Sequence, residues 1–168
     1  LANELGPDWL DVEEYIKSIN LYDSSNYEIH KSMYETQVEL FDPPIRFSCD
    51  GLINWKGIPS LIEIKSCDFA SFQDLVNPKD EHVDQFKAYC TLLGLDVGYF
   101  IYIDRQYGSV KCYEQKVTQI DKDNLLLMFK HVQEYAQYGL VPEGLPKGDK
   151  WCTPNMCQYY KKCQEYGR

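Results

Sequence analysis

One short stretch of this sequence sets acidic and basic side chains among apolar ones: Ser48-Cys49-Asp50-Gly51-Leu52-Ile53, a turn, then Leu61-Ile62-Glu63-Ile64-Lys65-Ser66. Side chains alternate along a strand, so Glu63 and Lys65 share one face while Ile62 and Ile64 take the other. A hairpin here brings Asp50 to the face of Glu63. Two converging carboxylates form a hard oxygen site suited to Mg²⁺ or Mn²⁺, with the carbonyl of Ile64 as a further ligand. A cation held there polarises a phosphodiester and lowers the pKa of a water, while Lys65 orients that water and offsets developing negative charge. Taken alone, an E-x-K tripeptide on a strand is usually a solvated face, and Asp-Gly before a turn is a common hairpin feature.

A second polar set lies downstream. From Asp80 to Leu93 the apolar residues Val83, Phe86, Ala88, Tyr89, Leu92 and Leu93 recur with a helical period, and Gly94 is a plausible stop. On that helix His82, Gln85 and Tyr89 stand at i, i+3 and i+7, one polar stripe that can face the carboxylates. The blander alternative makes Tyr89 a core residue and Gln85 a surface one.

The elements that must position these groups follow from periodicity. Residues 8 to 20 read as an amphipathic helix carrying Trp9, Val12, Tyr15, Ile16 and Ile19. Tyr34 to Phe47 alternates and breaks at Asp42-Pro43-Pro44, which predicts two strands around a turn. Ser48 to Asn54 and Leu61 to Lys65 predict a hairpin turning at Trp55-Lys56-Gly57, and Val97 to Ile103 with Val110 to Val117 predict another pair of strands. Residues 121 to 138 predict a long amphipathic helix. The order of helix, strands, helix, strands, helix and tail predicts an α/β fold, a mixed central sheet flanked by helices. At 168 residues the expected organisation is one core, 1–140, and a Cys-rich tail, 141–168, with little regular structure.

The combination of motifs resembles the PD-(D/E)xK nuclease superfamily, in particular the RecB-like branch that includes the CRISPR-adaptation exonucleases and many phage recombination nucleases. That branch places a His, then an Asp at a strand end, an ExK on the next strand and a QxxxY helix. This chain offers His30, Asp50, Glu63-Ile64-Lys65 and Gln85-Phe86-Lys87-Ala88-Tyr89 in that order, over residues 30 to 89. The resemblance implies a restriction-endonuclease-like sheet and an Mg²⁺- or Mn²⁺-dependent deoxyribonuclease, an exonuclease or flap-type enzyme of DNA recombination, repair or processing. Asp50, Glu63, the Ile64 carbonyl and His30 would bind metal, and Gln85 and Tyr89 would contact the metal site or the DNA backbone. The family histidine usually sits on a helix, whereas His30 lies a few residues before a predicted strand; an ordinary surface or core histidine is the alternative, with His82 a substitute ligand and His131 on the wrong element.

Seven cysteines are many for an ordinary cytosolic enzyme, and an odd number does not suit a fully paired disulfide framework. Cys152, Cys157 and Cys163 are spaced to fold around a soft metal centre. The family resemblance implies a four-iron, four-sulfur (4Fe–4S) cluster there, joined by an upstream cysteine. No cysteine precedes Cys49, so the fourth ligand is expected either upstream of Leu1 or not at all, with zinc or a disulfide as replacements. Cys49 and Cys112 read as buried strand positions, Cys90 as a helix position, and Cys67 shares the parity of Glu63 and Lys65.

Acidic residues outnumber basic ones 26 to 17, a net charge of −9 that repels a polyanion unless bound metal and local cations offset it. No apolar run approaches the roughly 18 residues that span a bilayer, and no signal peptide opens the chain, so a cytoplasmic location is expected. The expected partner is DNA, single-stranded or with free ends, with a homo-oligomer or a recombination or replication protein besides. A catalytically silent nucleic-acid- or protein-binding module on the same fold is the second reading, and a zinc-binding interaction domain built on the tail the third.

Overall fold

The computed structural model describes residues 8–32, 36–140, 149 and 151–165, and divides the chain into two compact units, Leu1–Lys130 and His131–Arg168. In chain order the elements are β1 (Asp8–Leu10), α1 (Val12–Ser18), β2 (Tyr27–Lys31), β3 (Thr36–Phe41), β4 (Pro44–Ser48), β5 (Gly51–Trp55), β6 (Ile58–Cys67), α2 (Phe69–Asp74), α3 (Asp80–Leu92), β7 (Val97–Asp104), β8 (Val110–Lys116), α4 (Gln119–Gln137) and α5 (Tyr160–Glu165). The fold is mixed α/β, as the alternation of periods predicts. A five-stranded sheet runs β1-β5-β6-β7-β8, with β6 and β7 parallel and the other neighbours antiparallel; β2, β3 and β4 form a separate antiparallel sheet. Two adjacent parallel strands need a crossover, and α2 and α3 supply it.

Close approach of α3 to the sheet sets the core. Phe86 packs against Phe100 at 4.7 Å between centroids with the rings tilted, and Leu61, Cys90 and Leu93 are buried in the same core. Gly98 permits that approach, because a Cβ there would lie 2.3 Å from the Leu61 carbonyl oxygen and 2.7 Å from a Phe86 ring carbon. The last carbonyls of a helix lack internal partners; at the end of α3, Tyr15 donates its hydroxyl to Leu93 O at 3.2 Å and Tyr22 donates to Leu92 O. At the end of α2, the Lys111 ammonium donates to the carbonyls of Phe72, Gln73 and Leu75, which suits a cation at the negative pole of a helix.

Several expectations are corrected. Residues 8 to 20 are not one helix: Asp8–Leu10 pairs with Asn54–Leu52 as an edge strand, and α1 starts where the Asp11 carboxylate accepts the Glu14 amide at 3.0 Å. Strand β2 and helix α2 were not anticipated, because Tyr27–Lys31 and Phe69–Asp74 are too short to display a period. Residues 33–35, which include the first two of the strand expected from Tyr34, and 141–148 lie outside the described residues. The tail, expected to have little regular structure, carries the one short helix α5 among its described residues. Cys112 is exposed rather than buried, lying on β8 at the sheet margin, and Cys49 is half-buried.

Candidate active site

The hairpin of β5 and β6 fixes the first two groups. Its two-residue turn, Lys56-Gly57, has positive φ at both positions (54° and 83°), the twist that suits a tight hairpin. The resulting register pairs Gly51 with Ile62, so Asp50 stands beside Glu63. Asp50 Oδ2 accepts the Ile64 amide at 2.6 Å, which locks the carboxylate against β6. Glu63 is 2% exposed, and its Oε2 lies 2.9 Å from Lys65 Nζ. Lys65 also donates to Gln85 Oε1 at 2.8 Å, and Gln85 Nε2 donates to the Tyr89 hydroxyl at 2.9 Å. Asp50, Glu63, Lys65, Gln85 and Tyr89 therefore form one connected set spanning the β4–β5 junction, β6 and α3. The stripe on α3 predicted from spacing does face the E-x-K strand.

Glu63 holds the tension in this set. Its Oε1 is buried without a hydrogen-bond partner among the described residues. Burial pushes its carboxyl above the ordinary carboxylate value and the Asp50 carboxylate adds to the rise, while the hydrogen bond and charge of Lys65 and, least, the main-chain amide of Asp50 pull it back. Burial likewise raises the Tyr89 phenol, and pushes the Cys49 thiol up to about 12 with the charges of Glu63 and Asp50 contributing. Cys49 is thus a protonated apolar wall rather than a nucleophile at neutral pH.

An orphaned, buried carboxylate oxygen beside a second carboxylate fits a hard divalent cation. Asp50, Glu63 and the Ile64 carbonyl are the residues that would hold one. Among the described residues no three His, Cys, Asp or Glu side chains gather as a metal-holding group; a pair of carboxylates completed by a main-chain carbonyl and water is a donor set of another make. His30 is not brought into this set. It lies on β2 in the three-stranded sheet, 3.3 Å from Glu39 and 3.9 Å from Glu28. In the second unit, Cys152, Cys157 and Cys163 are free and half-buried, each amide bonded to a carbonyl three or four residues back, and the three thiols are not gathered as a ligand set.

Two neighbours of the site escaped the sequence reading. Tyr102 stands opposite Lys65 in the parallel β6–β7 register, a relation no local pattern reveals. A cavity of about 290 Å³ adjoins Asp50, lined among others by Trp9, Asp11, Thr36 and Cys49. Trp9 is 67% exposed, and its ring lies over Gly51, where a Cβ would come within 2.5 Å of it. A lone tryptophan in an expected amphipathic helix carries no signal of this placement.

The fold and site define a mixed α/β protein with a carboxylate–lysine centre on its central sheet. No protein-family description matches the sequence, and no curated protein matches it. Among solved structures, the chain is similar to SSO0001, with 14% identity and a TM-score of 0.46 over 87% of this chain and 69% of that one. It is also similar to an alkaline exonuclease, LHK-Exo, from Laribacter hongkongensis, with 16% identity and a TM-score of 0.44 over 76% of this chain and 70% of that one. The same enzyme in complex with dAMP gives 17% identity and a TM-score of 0.42 over 76% and 69%. The overlaps are partial, and the functional reading rests on this chain's own residues.

Proposed function

We propose that this protein hydrolyses phosphodiester bonds in DNA with the help of Mg²⁺ or Mn²⁺, most simply as an exonuclease acting in DNA recombination, repair or processing. The observation that carries the reading is Glu63: a buried carboxylate with one oxygen unpartnered among the described residues, paired to a lysine and set beside Asp50, is an arrangement that costs stability and serves chemistry. A divalent cation bound by Asp50, Glu63 and the Ile64 carbonyl supplies Lewis acidity toward the scissile phosphate and acidifies water.

The chain's own side chains do the remainder. Lys65 is held between Glu63 and Gln85, so its ammonium has a fixed direction from which to orient the attacking water and counter charge on the phosphorane-like transition state. Gln85 is held in turn by Tyr89, which sets the amide with its oxygen toward Lys65. The cavity beside Asp50 is where the nucleotide next to the scissile bond lies, with Trp9 as a stacking surface for its base. The net charge of −9 favours a second reading, a catalytically silent module that binds a protein partner through its acidic surface.

Mn²⁺-dependent cleavage of end-labelled single- and double-stranded DNA, measured beside Lys65→Ala and Glu63→Ala, separates the two. Degradation by the wild type and by neither variant supports the nuclease, and the product ladder gives its polarity. A folded wild type that cleaves neither substrate in Mn²⁺ leaves the binding module standing.

A further inference from the structure

The site does not end at Gln85 and Tyr89. In the parallel register Lys65 faces Tyr102, so their side chains emerge on the same side of the sheet. His82, one turn before Gln85 on α3, stacks on the Tyr102 ring at 5.7 Å between centroids and 29° between planes. Its Nδ1 lies 2.7 Å from the Tyr102 hydroxyl oxygen. The ring therefore sits over the neighbour of Lys65, on the polar stripe that already delivers Gln85 and Tyr89 to the carboxylates.

The hydrogen bonds determine which ring nitrogen carries the proton. The Tyr102 oxygen accepts the Lys79 amide at 3.3 Å. Tyr102 is 1% exposed, and among the described residues its hydroxyl proton has no acceptor other than His82 Nδ1. Were Nδ1 to donate instead, the tyrosine proton would be buried without a partner, which costs more than the alternative. Nδ1 is thus the acceptor, and a neutral ring bears its proton on Nε2. Burial, with the nearby Lys65 charge second, lowers the His82 pKa, so the neutral ring is the form present at neutral pH. No described residue takes Nε2.

We propose that His82 donates its Nε2–H to a non-bridging phosphate oxygen of the substrate, and that Tyr102 is the positioning residue that fixes the tautomer. The inference rests on the nuclease reading for the identity of the substrate. A neutral donor next to Lys65 adds a directed hydrogen bond where a second full positive charge would compete for the same carboxylate.

The test compares His82→Leu, His82→Gln and Tyr102→Phe with the wild type in cleavage kinetics, with the ring nitrogens of His82 followed by NMR in the intact chain. A hydrogen bond to a charged oxygen predicts a fall in kcat/KM of about tenfold to a hundredfold for His82→Leu. His82→Gln, whose amide N–H can occupy the place of Nε2–H, keeps most of the activity. Tyr102→Phe shows both tautomers and an intermediate rate. The inference is overturned by wild-type kinetics in a folded His82→Leu, or by a folded His82→Gln as slow as His82→Leu. If the wild type itself cleaves nothing, the nuclease reading falls, and the His82 contact is judged separately with an oligothymidylate in Ca²⁺. A shifted, exchange-protected Nε2–H on addition of the oligonucleotide upholds the phosphate contact, and an unchanged one removes it.

Discussion

Replacing Glu63 by leucine should stabilise the metal-free protein while abolishing its chemistry. The carboxylate is buried and, among the described residues, one oxygen has no partner and the ion pair is with Lys65, which retains Gln85 and solvent as alternatives. An unsatisfied buried polar atom costs about 1–3 kcal/mol, and an apolar replacement of a buried ion-pair member that leaves no orphan behind recovers a similar amount. For a chain of this length that corresponds to a rise in Tm of roughly 3–10 °C. Lys65→Met should do the reverse, because it leaves the carboxylate buried and uncompensated. The pH dependence has a definite sign. The folded Glu63 pKa lies above the ordinary 4.5, so the penalty is absent at acid pH, where the carboxyl is protonated in both states. It appears as pH climbs from 4.5 through the folded value, and the gap between variant and wild type should widen across that window and then stay level. Mg²⁺ should invert the order, since a ligand at a hundred times its Kd stabilises the wild type by about 2.7 kcal/mol and has no site in the leucine variant. Calorimetry from pH 4 to 8, with and without Mg²⁺, reads all of this. A leucine variant that melts below the metal-free wild type, or a wild type indifferent to Mg²⁺, would refute the reasoning.

Gly98→Ala should cost about 3 kcal/mol, the upper range for overpacking, because the added methyl meets the Leu61 carbonyl and the Phe86 ring; urea unfolding measures it. Thr118 and Asp121 exchange side-chain and backbone hydrogen bonds at the start of α4, and Lys87 pairs with Asp121 at 2.7 Å, which holds the Asp121 carboxyl below its ordinary value. Asp121→Asn should therefore lose about 1 kcal/mol at neutral pH, with the deficit vanishing as pH falls below 3.8 through the depressed folded value. Trp9→Ala should raise KM for single-stranded DNA about tenfold, as loss of one stacked base predicts, with kcat little changed; steady-state kinetics on a short oligonucleotide decide it.

The alternation of Leu61 through Lys65 and the helical period of Asp80–Leu93 were enough to read the central strand, the helix over it and the face each presents. Both patterns are local, and both are repeated often enough to exceed chance. They also put Glu63 with Lys65 on one strand face and His82 with Gln85 and Tyr89 on one helix stripe, because i, i+2 on a strand and i, i+3 and i+7 on a helix have the same meaning in any fold; joining the two through Lys65 and Gln85 took the packing of α3 on β6. Short elements were not legible: three residues of β1 and six of α2 take their conformation from the strand or lysine that receives them.

Relations between distant segments belonged to the tertiary structure alone. The register that sets Tyr102 opposite Lys65 depends on how β7 slides against β6, and a one-residue slip would turn the tyrosine to the other face. The depth at which Glu63 is buried depends on α3 lying close enough to exclude water, which Gly98 permits and no property of the E-x-K tripeptide encodes. His30 shows the converse: its place in the chain order suited a ligand, but β2 pairs with β3, and its imidazole is set beside Glu39. Which groups are available and which face each takes follow from bond geometry along one element; distance, burial and tautomer came from packing between elements.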